Sequence, residues 1–488
     1  MAMEFRSFMN KRSGLWKVLA GICIVLAALP MAFCVYGNPL TCDESYYLSV
    51  MERMMEGKRL YRDVNTGYPP LWFFFMGGWK WLFHIPSGCA EPYYVFHFIT
   101  QIIAAFFLYK IVCSLEINRK VAFFCSWLFI MTGHWLQGNL LILEMLSIMF
   151  GLMALWLIID CKHNQIWRYF LGGLASACAF LSKQYGLGFF VLAMVLMIFK
   201  NKDKVFKIVV FILGFVLPVL VCLVVYGNKF VDSILLNGYG TTIDKSYGRT
   251  FDLNKERILN GFRLLCFRSA PVLLVTLLFF PKCIKEKKAW IMVFGWLGVL
   301  GFMLTYYFDF CQHYMLFVLP FVMIIIATAF SVMKETRSWL NILFVFGLIC
   351  MTGYSMYADY HNRMWKLYLH PEYKQREIDL SNEIKSRVPK EATLWIPNGG
   401  IYFVHFLANT TVPNLSTIAY SFSDGGLTRE DAAKQAEAAD YILSFNSEQA
   451  EPYYTKELKR FIYDHEAIFV DTTWNVVLHD MSKFKKKE

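Results

Sequence analysis

Long apolar runs recur through most of this chain, and they constrain its fold more than any other feature. A run of roughly 17 residues or more is long enough to cross the hydrocarbon core of a bilayer as a helix. Such runs begin near Leu15, Tyr93, Val121, Leu141, Arg168, Gly186, Val205, Gly261, Ala289, His313 and Trp339, which predicts about eleven spans. Composition agrees: of 488 residues, 57% are hydrophobic and only 17% charged, too apolar for a soluble chain of this length. The first run, Leu15 to Tyr36, follows Arg6, Lys11 and Arg12 as a signal sequence would. It is nevertheless long enough to span, and no small-x-small cleavage site follows it closely, so it reads as a retained anchor.

One further run, Pro70 to Phe83, is too short: about 14 helical residues reach about 21 Å against a core of about 30 Å. It also carries Lys80 and is expected to lie in the interface. With that placement, every segment assigned to the cytoplasm is basic: the N-terminus, Lys110 with Arg119 and Lys120, Lys162 with Arg168, Lys200 to Lys207, Lys282 to Lys288, and Lys334 with Arg337. The opposite turns, Gly133 to Asn139 and Phe308 to Gln312, carry no lysine or arginine. The net charge of +11 is thus a matter of topology; no basic stripe with interleaved aromatics points to nucleic acid.

The expected fold is a mainly α, polytopic transmembrane helix bundle over residues 1–357, with interfacial helices in its first outer loop. Residues 37–92 and 227–260 form outer loops, and 358–488 form a small extracytoplasmic α/β domain. In that tail, helices are expected at Glu377–Arg387, Thr428–Ala438 and Lys456–Phe461, with strands at Leu394–Ile396, Tyr441–Phe445, Ala467–Val470 and Asn475–Leu478. Most of the 13 cysteines lie inside apolar runs, where a thiol behaves as a small hydrophobe. Cys42 and Cys89 pair only if the fold brings them together.

The chemistry is expected in the outer pieces. Thr41 and Glu44 have capping-box spacing, which makes Asp43 and Glu44 the acidic start of a helix. A partly buried carboxylate at the membrane surface also serves as a general base toward a hydroxyl, and the two readings are compatible. Lys183 is either a snorkelling lysine or a point charge for a phosphate. Arg268, just inside a span, requires a partner, which a lipid phosphate supplies as well as an ordinary headgroup does. Glu144 is a helix start or a partner for Lys183. His313 and Tyr314 open a helix at the outer boundary, where an interfacial tyrosine also belongs to an aromatic belt. The second outer loop, with Arg249 among its glycines and tyrosines, is a solvated loop or a flap over substrate.

The first loop carries a resemblance. Asp43-Glu44, Tyr46-Tyr47, Gly57, Tyr61 with Asp63, and Tyr68-Pro69-Pro70 resemble the first outer loop of the GT-C superfamily of membrane glycosyltransferases. The chain looks most like the branch of protein mannosyltransferases, lipid A aminoarabinose transferases and lipopolysaccharide-core transferases. Gln137 to Glu144, Leu181-Ser182-Lys183-Gln184, His313-Tyr314 with Pro320, and the Trp395, Tyr402, Phe403 region extend the likeness. The resemblance implies inverting transfer of a sugar from a polyprenyl-phosphate donor to an acceptor hydroxyl, on the outer, periplasmic face of a bacterial inner membrane. Asp43 would be the base and Glu44 its helper. Lys183, Arg268, His313, Tyr314 and Arg249 would contact donor phosphate or sugar, and Glu144, Tyr61, Asp63 and Tyr68 would support the acceptor side. The aminoarabinose transferases have a lysine where this chain has Tyr68, so that subgroup's substrate is not implied.

No cofactor is called for, since HExxH, DxD and clustered Cys/His are absent from the outer loops; a divalent cation shared by Asp43 and Glu44 stays open. A transporter or flippase of lipid-linked saccharides would place charge near the midplane, whereas Val18–Phe33, Leu146–Ile159, Val209–Val225, Ile291–Leu304 and Phe317–Phe330 have none. An O-antigen ligase-like enzyme using pyrophosphate carriers is kept open by Arg257, Arg263 and Arg268.

Overall fold

The computed structural model describes residues 2–37, 39–64, 66–160, 165–200, 204–237, 272–309, 312–333, 372–396, 401–411, 434, 436–445, 456–465 and 467–485. Arg249, Arg257, Arg263, Arg268, the span expected from Trp339 and most of the helix expected at 428–438 lie outside them.

The bundle is built from α1 (Ala2–Gly37), α4 (Glu91–Ser114), α5 (Arg119–Gly133), α6 (Leu143–Ile159), α7 (Ile166–Ser182), α8 (Leu187–Lys200) and α9 (Lys204–Tyr226). After a short turn, α10 (Asn228–Val231), come α11 (272–285), α12 (Ala289–Asp309) and α13 (Met315–Met333). Helices α6 and α13 are apolar all round and buried on nearly every side, so they form the centre. Helix α9 is equally apolar, yet Leu213, Leu217, Val221 and Val224 are exposed, as expected of a face turned to lipid. It lies close against α7 because Gly173 and Gly214 face each other's helix. A Cβ on Gly173 would run into the Phe211 carbonyl, and one on Gly214 into that of Phe170.

Three described helices, Glu91–Ser114, Val205–Tyr226 and Met315–Met333, are long and apolar enough to cross a membrane, and further apolar helical stretches among the described residues are Trp16–Leu29 within α1, Leu143–Ile159, Gln184–Phe199 and Ala289–Met303 within α12. Helix α5 ends in a π-helical turn, His134–Gly138, where Gln137 has a φ of 63°, and α7 stops where Lys183 turns extended. Both breaks fall at polar residues that gather into one cluster.

Helices α2 (Cys42–Met55) and α3 (Leu71–Phe83) fill the first loop. At 13 residues, α3 is as short as the sequence implies. Its Lys80 ammonium donates to both oxygens of Glu52 on α2, at 2.7 and 2.6 Å, and to Ser87 at 2.9 Å. Trp81, Leu82 and Phe83 at its end are exposed.

The C-terminal part holds α14 (Glu372–Arg387), β1 (Leu394–Trp395), α15 (Phe403–Leu407), β2 (Tyr441–Phe445), α16 (Lys456–Asp464), β3 (Phe469–Asp471), β4 (Val476–Asp480) and α17 (Ser482–Lys485). The sheet runs β1-β2-β4-β3, with β1 parallel to β2 and the other pairs antiparallel; Leu443 opposes Leu478 in its core. Tyr402, Phe403, Val404 and Phe406 belong to the same buried apolar cluster as the bundle. The Arg53 guanidinium on α2 donates to the Thr410 carbonyl beyond α15, and Tyr46 packs 6.3 Å from Tyr402.

Candidate active site

The first turn of α2 divides its two carboxylates. Thr41 is the N-cap: its hydroxyl accepts from the Glu44 N–H at 3.4 Å, and the Glu44 carboxylate accepts from the Thr41 N–H at 2.9 Å. Glu44 is fully buried, and its other oxygen accepts from the Tyr94 hydroxyl and the Leu141 N–H, both at 2.7 Å. Burial pushes its carboxyl up, against the pull of those donors. Glu44 thus ties α2 to α4 and to the segment entering α6. Asp43 is half-buried at the positive end of the same helix.

One turn on, Tyr47 links this start to a second cluster. Asp43, Tyr68 and Glu144 all lie within electrostatic reach of its hydroxyl, and burial first, then these neighbours, holds the phenol well above its ordinary value. It therefore stays a hydrogen-bond donor. Its ring meets Tyr68 edge-on at 5.1 Å.

The second cluster is an ion pair. The Lys183 ammonium, at the end of α7, lies 3.0 Å from Glu144 Oε1 in the first turn of α6, with side-chain exposures of 2% and 0%. Lys183 therefore does not snorkel. His313 Nε2 lies 3.7 Å from the same oxygen, and its Nδ1 meets Gln137 Oε1 at 3.1 Å. The ammonium also faces the rings of Tyr68, Tyr314 and Tyr185, at 4.5, 5.3 and 5.9 Å. Neither Glu144 oxygen receives a well-directed hydrogen bond. A buried pair with unfilled acceptor capacity contributes little net stability for its desolvation cost.

The loop lays Tyr68 over this pair. The Tyr61 hydroxyl donates to the Tyr68 carbonyl at 2.7 Å, and the Gln184 amide donates to the Gly67 carbonyl. Tyr61 adopts a φ of 63° and packs on Tyr226 at 5.1 Å, supporting the loop from behind.

Other expectations fare differently. Asp63 closes an exposed turn, accepting from the Arg59 N–H at 2.9 Å and pairing with the Arg59 guanidinium at 3.3 Å, so it does not join the cluster. Cys42 and Cys89 are free thiols, and Cys89 donates to Glu91. Among the described residues no group of three metal-ligating side chains occurs, and Glu44, left open as one half of a shared cation site, already accepts from three donors. Sequence reasoning passed over Tyr94 and Glu377. The latter was legible as an acid on the stripe of α14 that also carries Leu380 and Ile384.

No protein-family model matches the chain, and no curated protein matches it. Solved structures do. ArnT from Cupriavidus metallidurans in the apo state superposes with a TM-score of 0.60 at 12% identity, covering 96% of this chain and 98% of ArnT. The chain has the GT-C fold. ArnT bound to undecaprenyl phosphate gives a TM-score of 0.59 at 12% identity, covering 95% of this chain and 97% of ArnT. The oligosaccharyltransferase of Archaeoglobus fulgidus tethered to an acceptor peptide gives 0.49 at 12% identity, covering 88% and 70%. The GT-C likeness to ArnT takes in the bundle, the first loop and the C-terminal sheet together.

Proposed function

We propose that this chain is a membrane glycosyltransferase that moves a sugar from a polyprenyl-phosphate donor to an acceptor hydroxyl on the outer face of the membrane. One observation carries the reading: in a GT-C fold, the buried Lys183–Glu144 pair, roofed by Tyr68, stands beside the α2 turn that bears Asp43. A solved structure of ArnT holds undecaprenyl phosphate, which supports that class of carrier.

Asp43 accepts the proton of the acceptor hydroxyl as its oxygen attacks the anomeric carbon. The bond from that carbon to the phosphate oxygen breaks, and the polyprenyl phosphate leaves with the electron pair. Lys183 stabilises the leaving phosphate once donor binding draws it from Glu144. His313 and Tyr314 line the same position. Glu44 fixes the base turn against α4 and α6, while Tyr61 and Tyr68 hold the loop over the pair. Positive-inside patterning supports a cytoplasmic N-terminus with this cluster outside.

The test is lipid-linked sugar profiling by mass spectrometry in cells lacking the protein. A polyprenyl-monophosphate sugar should accumulate. A pool unchanged from wild type would overturn the reading.

A further inference from the structure

The segment that leads into the base turn is held from both sides by buried glutamate side chains. The Thr41 N–H donates to Glu44 within the capping box, at 2.9 Å. The N–H of the residue before it, Leu40, donates to Glu377 Oε2 at 3.0 Å. Glu377 sits on α14 in the C-terminal part, is 5% exposed, and shares its buried face with Leu380 and Ile384. Three residues earlier on the same helix, Lys374 Nζ donates to Glu91 Oε1 at 2.6 Å, at the start of α4. Helix α14 therefore grips the two chain entries, into α2 and into α4, whose side chains Glu44 and Tyr94 meet inside.

A carboxyl group is costly to bury in either protonation state, and an ordinary docking contact has no need of one. Here its carboxyl oxygen accepts from a peptide N–H that precedes the helix and has no helical partner. We infer that Glu377 is a positioning residue of the transfer reaction: by holding the Leu40 peptide it sets the angle at which α2 presents Asp43. The inference rests on the reading of Asp43 as base. It extends the catalytic unit beyond the membrane bundle to a residue of the C-terminal part.

The test uses the full-length chain. Glu377→Leu fills the same space without an acceptor; Glu377→Gln keeps one. Each is expressed in the deletion strain beside Asp43→Asn, with the polyprenyl-phosphate sugar pool measured, and amide exchange is followed in purified protein. Glu377→Leu should raise the donor pool toward the Asp43→Asn level at wild-type membrane abundance, and Glu377→Gln should restore it. Exchange at Leu40 should speed about tenfold in the leucine variant, the change expected from losing one buried hydrogen bond, with α6 and α13 unchanged. A wild-type pool in Glu377→Leu, or equal loss in the glutamine variant, would overturn the inference. A wild-type pool in Asp43→Asn would instead overturn the base assignment, with the exchange result standing apart. If the leucine variant fails to reach the membrane, Glu377→Ala in the same two measurements decides; loss of assembly in both, with the glutamine variant normal in exchange and pool, assigns Glu377 to folding and ends the positioning claim.

Discussion

Lys183 Nζ and Glu144 Oε1 stand 3.0 Å apart with both side chains withdrawn from solvent. Removing one partner strands the other charge, so Lys183→Met and Glu144→Leu should each destabilise by about 3–5 kcal/mol. The double variant should recover most of that stability while failing to bind undecaprenyl phosphate. Thermal unfolding in detergent and a lipid titration read the two effects separately; full binding by the double variant would remove Lys183 from the donor site.

Asp43→Asn should abolish transfer while leaving the unfolding temperature close to wild type. Asparagine keeps the size of aspartate but not its basicity, and Thr41 remains to cap the helix. The donor pool in complemented cells, read beside the melting curve of purified protein, checks both halves.

Glu44→Ala should behave in the opposite way, losing stability first. It removes the acceptor for Thr41, Tyr94 and Leu141 at once and leaves buried donors unpaired, at about 1–3 kcal/mol each. Faster amide exchange at Thr41 and Leu141 is the expected signature, and unchanged exchange at both would show that the clamp is not needed.

Glu377 gives a pH dependence. Burial, with the Glu44 charge adding to it, pushes its carboxyl up to about 8 from 4.5, against the pull of the Leu40 N–H. A raised value in the folded state means that the protonated acid is the form favoured by folding. Its contribution is complete below 4.5 and is lost as pH rises through about 8. Unfolding temperature should fall between pH 4.5 and about 8 and level off above it, and Glu377→Gln should flatten that slope.

A reporter fused after Glu488 should be active only outside the cytoplasm. Cytoplasmic activity would invert every loop and place Lys183 and Asp43 on the wrong face.

Much of the architecture was legible because it depends on local pattern. Apolar length located the bundle helices, and alternation located Tyr441–Phe445 to the residue. The breaks that end α5 and α7 were less legible, since they fall where polar residues converge, which run length does not register. Asp43 and Glu44 read as a pair because they are adjacent. On a helix, neighbours point about 100° apart, and only the fold reveals that one faces Leu141 and Tyr94. The Lys183–Glu144 partnership was available only as an alternative to a helix start. Glu377 and Leu40 are 337 residues apart, and no spacing rule connects them.

That separation has a consequence for biosynthesis. The turn bearing Asp43 leaves the ribosome early, yet its anchor at Glu377 is made more than three hundred residues later. A nascent or prematurely terminated chain can thread its first helices into the bilayer with the base turn still unset. On the proposed reading, a chain that stops before Glu377 should enter the membrane and transfer no sugar, whereas one that stops soon after it already carries the anchor.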